Sequence, residues 1–185
     1  MTLPFTPSDL EAHIPRLRRY ARALTGNRDA ADDLTQDTLE RAWEKRALWR
    51  AGAGDPKGSL RAWLFAVMHN VFVNTVRRMK VTESLDAGDG SALDLPAAGA
   101  SAETDAAVRE IGRALMQLAD EQRAVILLVG LEQLSYAEAA FALDVPIGTV
   151  MSRLSRGRER LRQLLDEDPE RATRTATPST LRRVK

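Results

Sequence analysis

The sequence predicts an all-α protein of two small helical domains joined by a flexible acidic linker, the C-terminal domain being a helix-turn-helix. Three observations carry this. Apolar residues recur at three- and four-residue steps along most of the chain, and no four- to eight-residue run alternates β-branched with polar residues as a strand would. Between residues 81 and 103 the composition shifts abruptly to Ala, Gly, Ser and Asp. Near the C-terminus a short capped helix, a prolyl turn and a longer basic helix follow one another.

The N-terminal domain spans residues 8–80. Its first helix is expected to open at Ser8, because Ser8-Asp9-Leu10-Glu11 has capping-box spacing. Pro15 should kink or restart it. Leu17, Tyr20, Ala21 and Leu24 then form a helical stripe, and Gly26 supplies the stop. A second helix is predicted from about Asp29 to Leu48, with Leu34, Leu39, Ala42 and Trp43 inward and acidic residues on its other faces. Arg50 to Ser59 holds three glycines and a proline and reads as a loop. The third helix, Leu60 to about Arg78, buries Leu60, Trp63, Leu64, Val67, Met68, Val71 and Phe72.

From Lys80 to Asp105, six acidic residues stand against one lysine. A stretch so poor in large apolar groups cannot bury enough surface to offset its ordering entropy, so residues 81–103 are expected to be a flexible linker. The C-terminal domain spans residues 104–166, opening with one helix to about Leu118 and another from Asp120 to Leu131 that supplies Ala124, Ile126, Leu127 and Leu128 to a core. Ser135-Tyr-Ala-Glu138 is a capping box opening a short helix from Tyr136 to Leu143. Asp144-Val145-Pro146 makes the turn, and a helix from Ile147 to Leu165 turns Val150, Leu154, Leu161, Leu164 and Leu165 inward. Arg153, Arg156, Arg158, Arg160 and Arg162 oppose Glu159 alone on that helix, so a net charge of +1 conceals a basic helix and an acidic linker. An isolated helix of Arg and Leu is usually a solvated amphipathic element; the cap, the turn and the one-sided charge together favour a major-groove reader. Residues 167–185 mix both charges and are expected to be a disordered tail.

Composition excludes several classes. With 44% hydrophobic and 29% charged residues the chain is globular, and without cysteine it has no disulfide, thiolate metal site or cysteine nucleophile. The two histidines, His13 and His69, lie far apart, and no glycine-rich phosphate loop or nucleophile elbow is present. No enzyme, metal or cofactor is expected. Met1-Thr-Leu-Pro-Phe does not open like a signal peptide, and the apolar run from Ala124 to Leu131 is far short of the ~20 residues that cross a bilayer, so a cytoplasmic location without membrane insertion is expected.

Leu134-Ser-Tyr-Ala-Glu-Ala-Ala and Val145-Pro-Ile-Gly-Thr-Val-Met-Ser-Arg-Leu-Ser-Arg-Gly-Arg-Glu-Arg-Leu-Arg resemble the C-terminal domain of extracytoplasmic-function sigma factors, members of the sigma-70 family. Ala31-Asp-Asp-Leu-Thr-Gln-Asp-Thr-Leu-Glu-Arg-Ala-Trp43 resembles their polymerase-clamp segment, and Leu60 to Arg78 resembles the helix that reads the upstream edge of the promoter bubble. The resemblance runs from about Leu10 to Leu165, with general-stress members the nearest in kind. It departs at Asn74, where the family often carries Asp, so a negative charge beside Arg77 is absent.

The resemblance implies a function: a specificity subunit that binds core RNA polymerase through the β and β′ subunits, recognises promoter DNA and promotes initiation at a stress-responsive regulon. It implies that Asp33, Gln36, Asp37 and Glu40 dock on β′, although by charge alone they are only a solvated face. For the minus-ten element the candidates are Arg50, Lys57, Ser59, Arg61, Asn70, Asn74, Arg77 and Arg78, since basic grooves and amide-lined pockets hold unstacked bases. Trp63 and Phe72 could stack on bases but at their spacing read as core, and His69 reads as a packing residue. For the minus-thirty-five element Thr149, Ser152, Arg153 and Arg156 are expected near base edges, with Arg158 and Arg160 on phosphate or in solvent. An anti-sigma factor is the expected regulatory partner, and the free chain is expected to be a monomer. Two rivals remain at this level: a self-sufficient dimeric regulator that binds operators tightly without polymerase, and a helical adaptor that binds only proteins.

Overall fold

A computed structural model describes residues 5–49, 58–83 and 102–166, and these are helical, with no strand among them. Helix α1 (Pro7–Glu11) is capped by Thr6, whose hydroxyl accepts from the Asp9 N–H while the Thr6 N–H donates to the Asp9 carboxylate at 2.7 Å. The cap thus lies two residues before the expected Ser8. Pro7 explains this: lacking an N–H and fixed in φ, it favours the first helical turn. Pro15 does restart the helix, as α2 (Ile14–Thr25), and Gly26 ends it at φ 69°, a left-handed conformation costly to any residue with a Cβ.

Helix α3 (Arg28–Glu44) opens on an Asn27 cap and gives way to a 3₁₀ turn at Arg46–Leu48, earlier than the expected end at Leu48. Its buried face is made of Ala31, Leu34, Thr35, Thr38 and Ala42. The two threonines are satisfied by donating to the Ala31 and Leu34 carbonyls one turn back, at 2.7 and 2.6 Å. Helix α4 (Leu60–Glu83) is longer than expected, running past Arg78 into the first residues of the expected linker. Phe65, absent from the expected stripe, is fully buried and meets the Tyr20 ring edge-on at 5.2 Å. Phe5 sits against Trp43, Trp49 and Trp63 with ring centroids 5.7–6.5 Å apart, which ties the N-terminal segment to α3 and α4. Trp63 and Phe72 are accordingly packing residues.

Helix α5 (Ala102–Met116) precedes α6 (Asp120–Ile126), which continues as a π turn over Leu127–Leu131 where one regular helix was expected. The wide turn brings both Leu127 and Leu128 into the core, and Glu132, at its end, is also buried. Helices α7 (Tyr136–Leu143) and α8 (Ile147–Asp166) form the expected helix-turn-helix. Helix α8 buries Val150, Leu154, Gly157 and Leu164, with Leu161 and Leu165 at the margin. The two halves pack on each other, α4 against α7 and α2 against the π turn. The middle of the expected linker, 84–101, and the expected tail, 167–185, lie outside the described residues.

Candidate nucleic-acid interface

Local sequence builds the α7–α8 unit. The Ser135 hydroxyl accepts from the Glu138 N–H at 3.2 Å while the Ser135 N–H donates to Glu138 Oε2 at 2.9 Å, so two orphan donors at the start of α7 are satisfied reciprocally. Asp144 closes α7 at φ 52°, left-handed backbone that Asp tolerates better than most residues, and the Val145 N–H donates to the Ala140 carbonyl at 3.1 Å. Pro146 accepts from the Thr149 N–H at 2.9 Å, which starts α8.

Helix α8 rises about 30 Å, at roughly 1.5 Å per residue. At about 100° per residue, Thr149, Ser152, Arg153, Arg156 and Arg160 share one stripe that flanks the buried side. Ser152, Arg156 and Arg160 are exposed, while Thr149 and Arg153 are half-buried. Arg156 donates to the Ser152 carbonyl at 3.3 Å, and Ser152 donates to the Thr149 carbonyl at 3.1 Å. Thr149, Ser152 and Arg156 are therefore linked along the helix. Arg158 is exposed on another side of α8, and Arg162 is engaged by Glu159.

Helix α4 carries a second stripe, Asn70, Asn74 and Arg77, all exposed, with Arg78 exposed at its edge. Asn70 borders a groove of about 910 Å³ that Trp63, Arg41 and Lys45 share with Phe141 and Ile147 from the other half. Two other candidates are placed differently. Ser59 is the cap of α4, its hydroxyl accepting from the Ala62 N–H at 3.2 Å. Arg61 lies on the far side of α4 from Asn70, donating to Glu138 Oε1 and to the Glu132 carbonyl, each at 3.5 Å. Arg50 and Lys57 lie outside the described residues.

On α3, Asp33, Gln36, Asp37 and Glu40 form one exposed stripe opposite the Thr35–Thr38 side, with Gln36 donating to Glu40 at 3.0 Å.

Between the halves lies a polar cluster that the sequence did not single out. Glu132 is fully buried and receives Arg19 Nε at 3.0 Å and Arg19 Nη2 at 2.8 Å on one oxygen. Its other oxygen has no hydrogen-bond donor, and Arg16 approaches it only to 3.9 Å. Burial pushes the neighbouring Tyr20 hydroxyl far above its ordinary range, Arg123 opposing and Glu132 reinforcing the shift. Burial alone would raise the Glu138 carboxyl, but the Ser135 N–H and hydroxyl together with Arg61 outweigh it and hold it below 4.5. His69, on α4, is held below 6.5 by burial and then by Arg153 of α8, against Glu121 of α6. The one signal for Glu132 was a single acid directly after an apolar run.

Among the described residues no group of three or more acidic, His or Cys side chains could hold a metal, and no helix is long and apolar enough to cross a membrane.

Residues 10–69 match the family described as the Sigma2 domain of PhyR, and residues 108–161 match Sigma-70, region 4. The chain is 34% identical over 169 residues to the ECF RNA polymerase sigma factor EcfG of Rhodopseudomonas palustris, covering 90% of each. It is 35% identical over 159 residues to the ECF RNA polymerase sigma factor SigL of Mycobacterium tuberculosis, covering 85% of this chain and 86% of the relative. The fold is similar to that of the sigma factor RpoE in its complex with the anti-sigma factor NepR from Bartonella quintana, with a TM-score of 0.72, 35% identity, and coverage of 87% of this chain and 96% of the other.

Proposed function

The chain belongs to the extracytoplasmic-function sigma factors of the sigma-70 family, and from that premise we infer that it is a bipartite promoter reader that works only on core RNA polymerase. The observation that carries this is the pair of outward polar stripes, Thr149-Ser152-Arg153-Arg156-Arg160 on a capped helix-turn-helix and Asn70-Asn74-Arg77 on α4. The first suits the major groove of a duplex minus-thirty-five element, with arginines for guanine edges or phosphate. The second suits melted bases of a minus-ten element, whose edges amides can read. The acidic stripe on α3 is assigned to the β′ subunit, with further contact to β.

Each half makes few DNA contacts, so binding to free DNA is weak, and polymerase raises the effective concentration of the second contact by holding both halves in register. The protein does no chemistry of its own; it favours strand opening by capturing separated bases. The setting is cytoplasmic, the free chain a monomer, and the target a stress-responsive regulon. An anti-sigma factor is the assigned regulator, since the similar RpoE structure is a complex with one.

Run-off transcription with core polymerase and a promoter found by mapping transcription starts tests the reading. Specific initiation should rise over core alone, and Arg156→Ala should cost about 1–3 kcal/mol of promoter discrimination. No gain in specific initiation, or tight binding to naked operator DNA without polymerase, would refute it.

A further inference from the structure

Glu132 is the only acidic side chain among the described residues with no exposed surface in this structure, and the donors that reach it come from the other half of the molecule. A carboxylate removed from water must be compensated, and here Arg19, 113 residues away, supplies both hydrogen bonds from α2. Arg19 itself is half exposed, so the pair is lopsided: the arginine stays solvated if released, whereas the carboxylate does not unless the halves separate. One step further along the same seam, Glu138 of α7 and the Glu132 carbonyl hold Arg61 of α4.

We propose that Glu132 and Arg19 form an electrostatic latch that holds the two halves of the free chain closed, with Arg61 engaged on the same seam. Arg153, a residue of the α8 reading stripe, is half-buried and within electrostatic reach of His69 on α4. In the closed form the two reading stripes stay largely exposed but are held at one fixed position relative to each other. Opening hydrates Glu132, releases Arg61 and frees the two stripes to take the spacing that a partner holding the halves apart imposes. The link to promoter DNA rests on the reading in the preceding subsection; the latch itself does not.

The test uses the full chain, which has no native cysteine, labelled for energy transfer at Glu11→Cys and Gln117→Cys, both exposed positions in opposite halves. Arg19→Ala leaves the buried carboxylate without a side-chain hydrogen-bond donor, with only Arg16 at 3.9 Å, and should move the closed–open equilibrium roughly tenfold toward open, the scale of one charge-assisted hydrogen bond, seen as lower transfer efficiency. Adding Glu132→Gln to that variant removes the buried charge and should restore most of the transfer. Circular dichroism confirms that each variant keeps its helices. Unchanged transfer in Arg19→Ala, or an open double variant with native helicity, overturns the latch. Core polymerase added to the labelled native chain separates the two ideas: no response to polymerase sinks the promoter reading alone, while a response together with an indifferent Arg19→Ala sinks the latch alone.

Discussion

Glu138 shows how much one side chain can be asked to do. Its carboxylate caps α7 through Ser135 and also holds Arg61 across the seam. Ser135→Ala should cost about 1 kcal/mol in urea unfolding, the typical loss for an N-cap. The ionised carboxylate is the bonded form and its folded pKa lies below 4.5, so its contribution is complete above 4.5 and disappears as pH falls through the lower folded value. The stability gap between the native chain and Glu138→Gln should therefore be constant from pH 7 to 5 and close in more acid solution; a gap that persists would mean the carboxylate charge contributes nothing. The Ser135 box was legible because its spacing and the following apolar residues agree. At the N-terminus two acids stood at capping distance from two hydroxyls, and only the placement of Pro7 in the first turn decided for Thr6.

At the scale of elements, α6 and α8 approach closely because residue 157 has no side chain. A Cβ there would stand 2.9 Å from the Ile126 Cδ1 and 3.3 Å from the Gln122 Cβ. Gly157→Ala should be near neutral, since the gain in helix propensity of about 1 kcal/mol offsets a contact made mostly with a movable methyl. Gly157→Leu has no such escape and should destabilise by about 1–3 kcal/mol in thermal unfolding, with α6 pushed off α8. An equally stable Leu variant would contradict the packing. The three-four spacing of Val150, Leu154, Leu161 and Leu164 passes through residue 157, so the position was readable as inward. That the inward residue was a contact point between backbones was not, because it depends on what α6 brings opposite. On α3 the same periodicity runs through Ala31, Thr35 and Thr38, which small hydroxylated side chains disguise as polar surface.

For the whole molecule the decisive feature is that the halves close on one another along α2, α4, α7 and the π turn. His69 reports on that seam, with Arg153 of α8 and Glu121 of α6 as its charged neighbours. Its folded pKa is below 6.5, so between the two values the unfolded chain binds more protons than the folded one. Stability is thus complete above pH 6.5 and declines as pH falls toward the folded value. Melting temperature should drop between pH 7 and pH 5.5 in the native chain and less in His69→Gln; parallel curves would show that His69 is not strained by the seam.

Periodicity, caps and glycine or proline stops are local, so the sequence by itself determined which segments are helices, which faces of α3 and α8 are polar, and where the helix-turn-helix lies. Those signals act within one or two turns, and each survives whatever the rest of the chain does. The partner of Arg61, the burial of Glu132 and the gathering of Phe5 with Trp43, Trp49 and Trp63 belong to the tertiary structure alone. Arg19 meets Glu132 across 113 residues, a separation at which no repeat in the chain records who faces whom. What selects such a pairing is the penalty for leaving a desolvated charge uncompensated, and that penalty arises only once two surfaces have met.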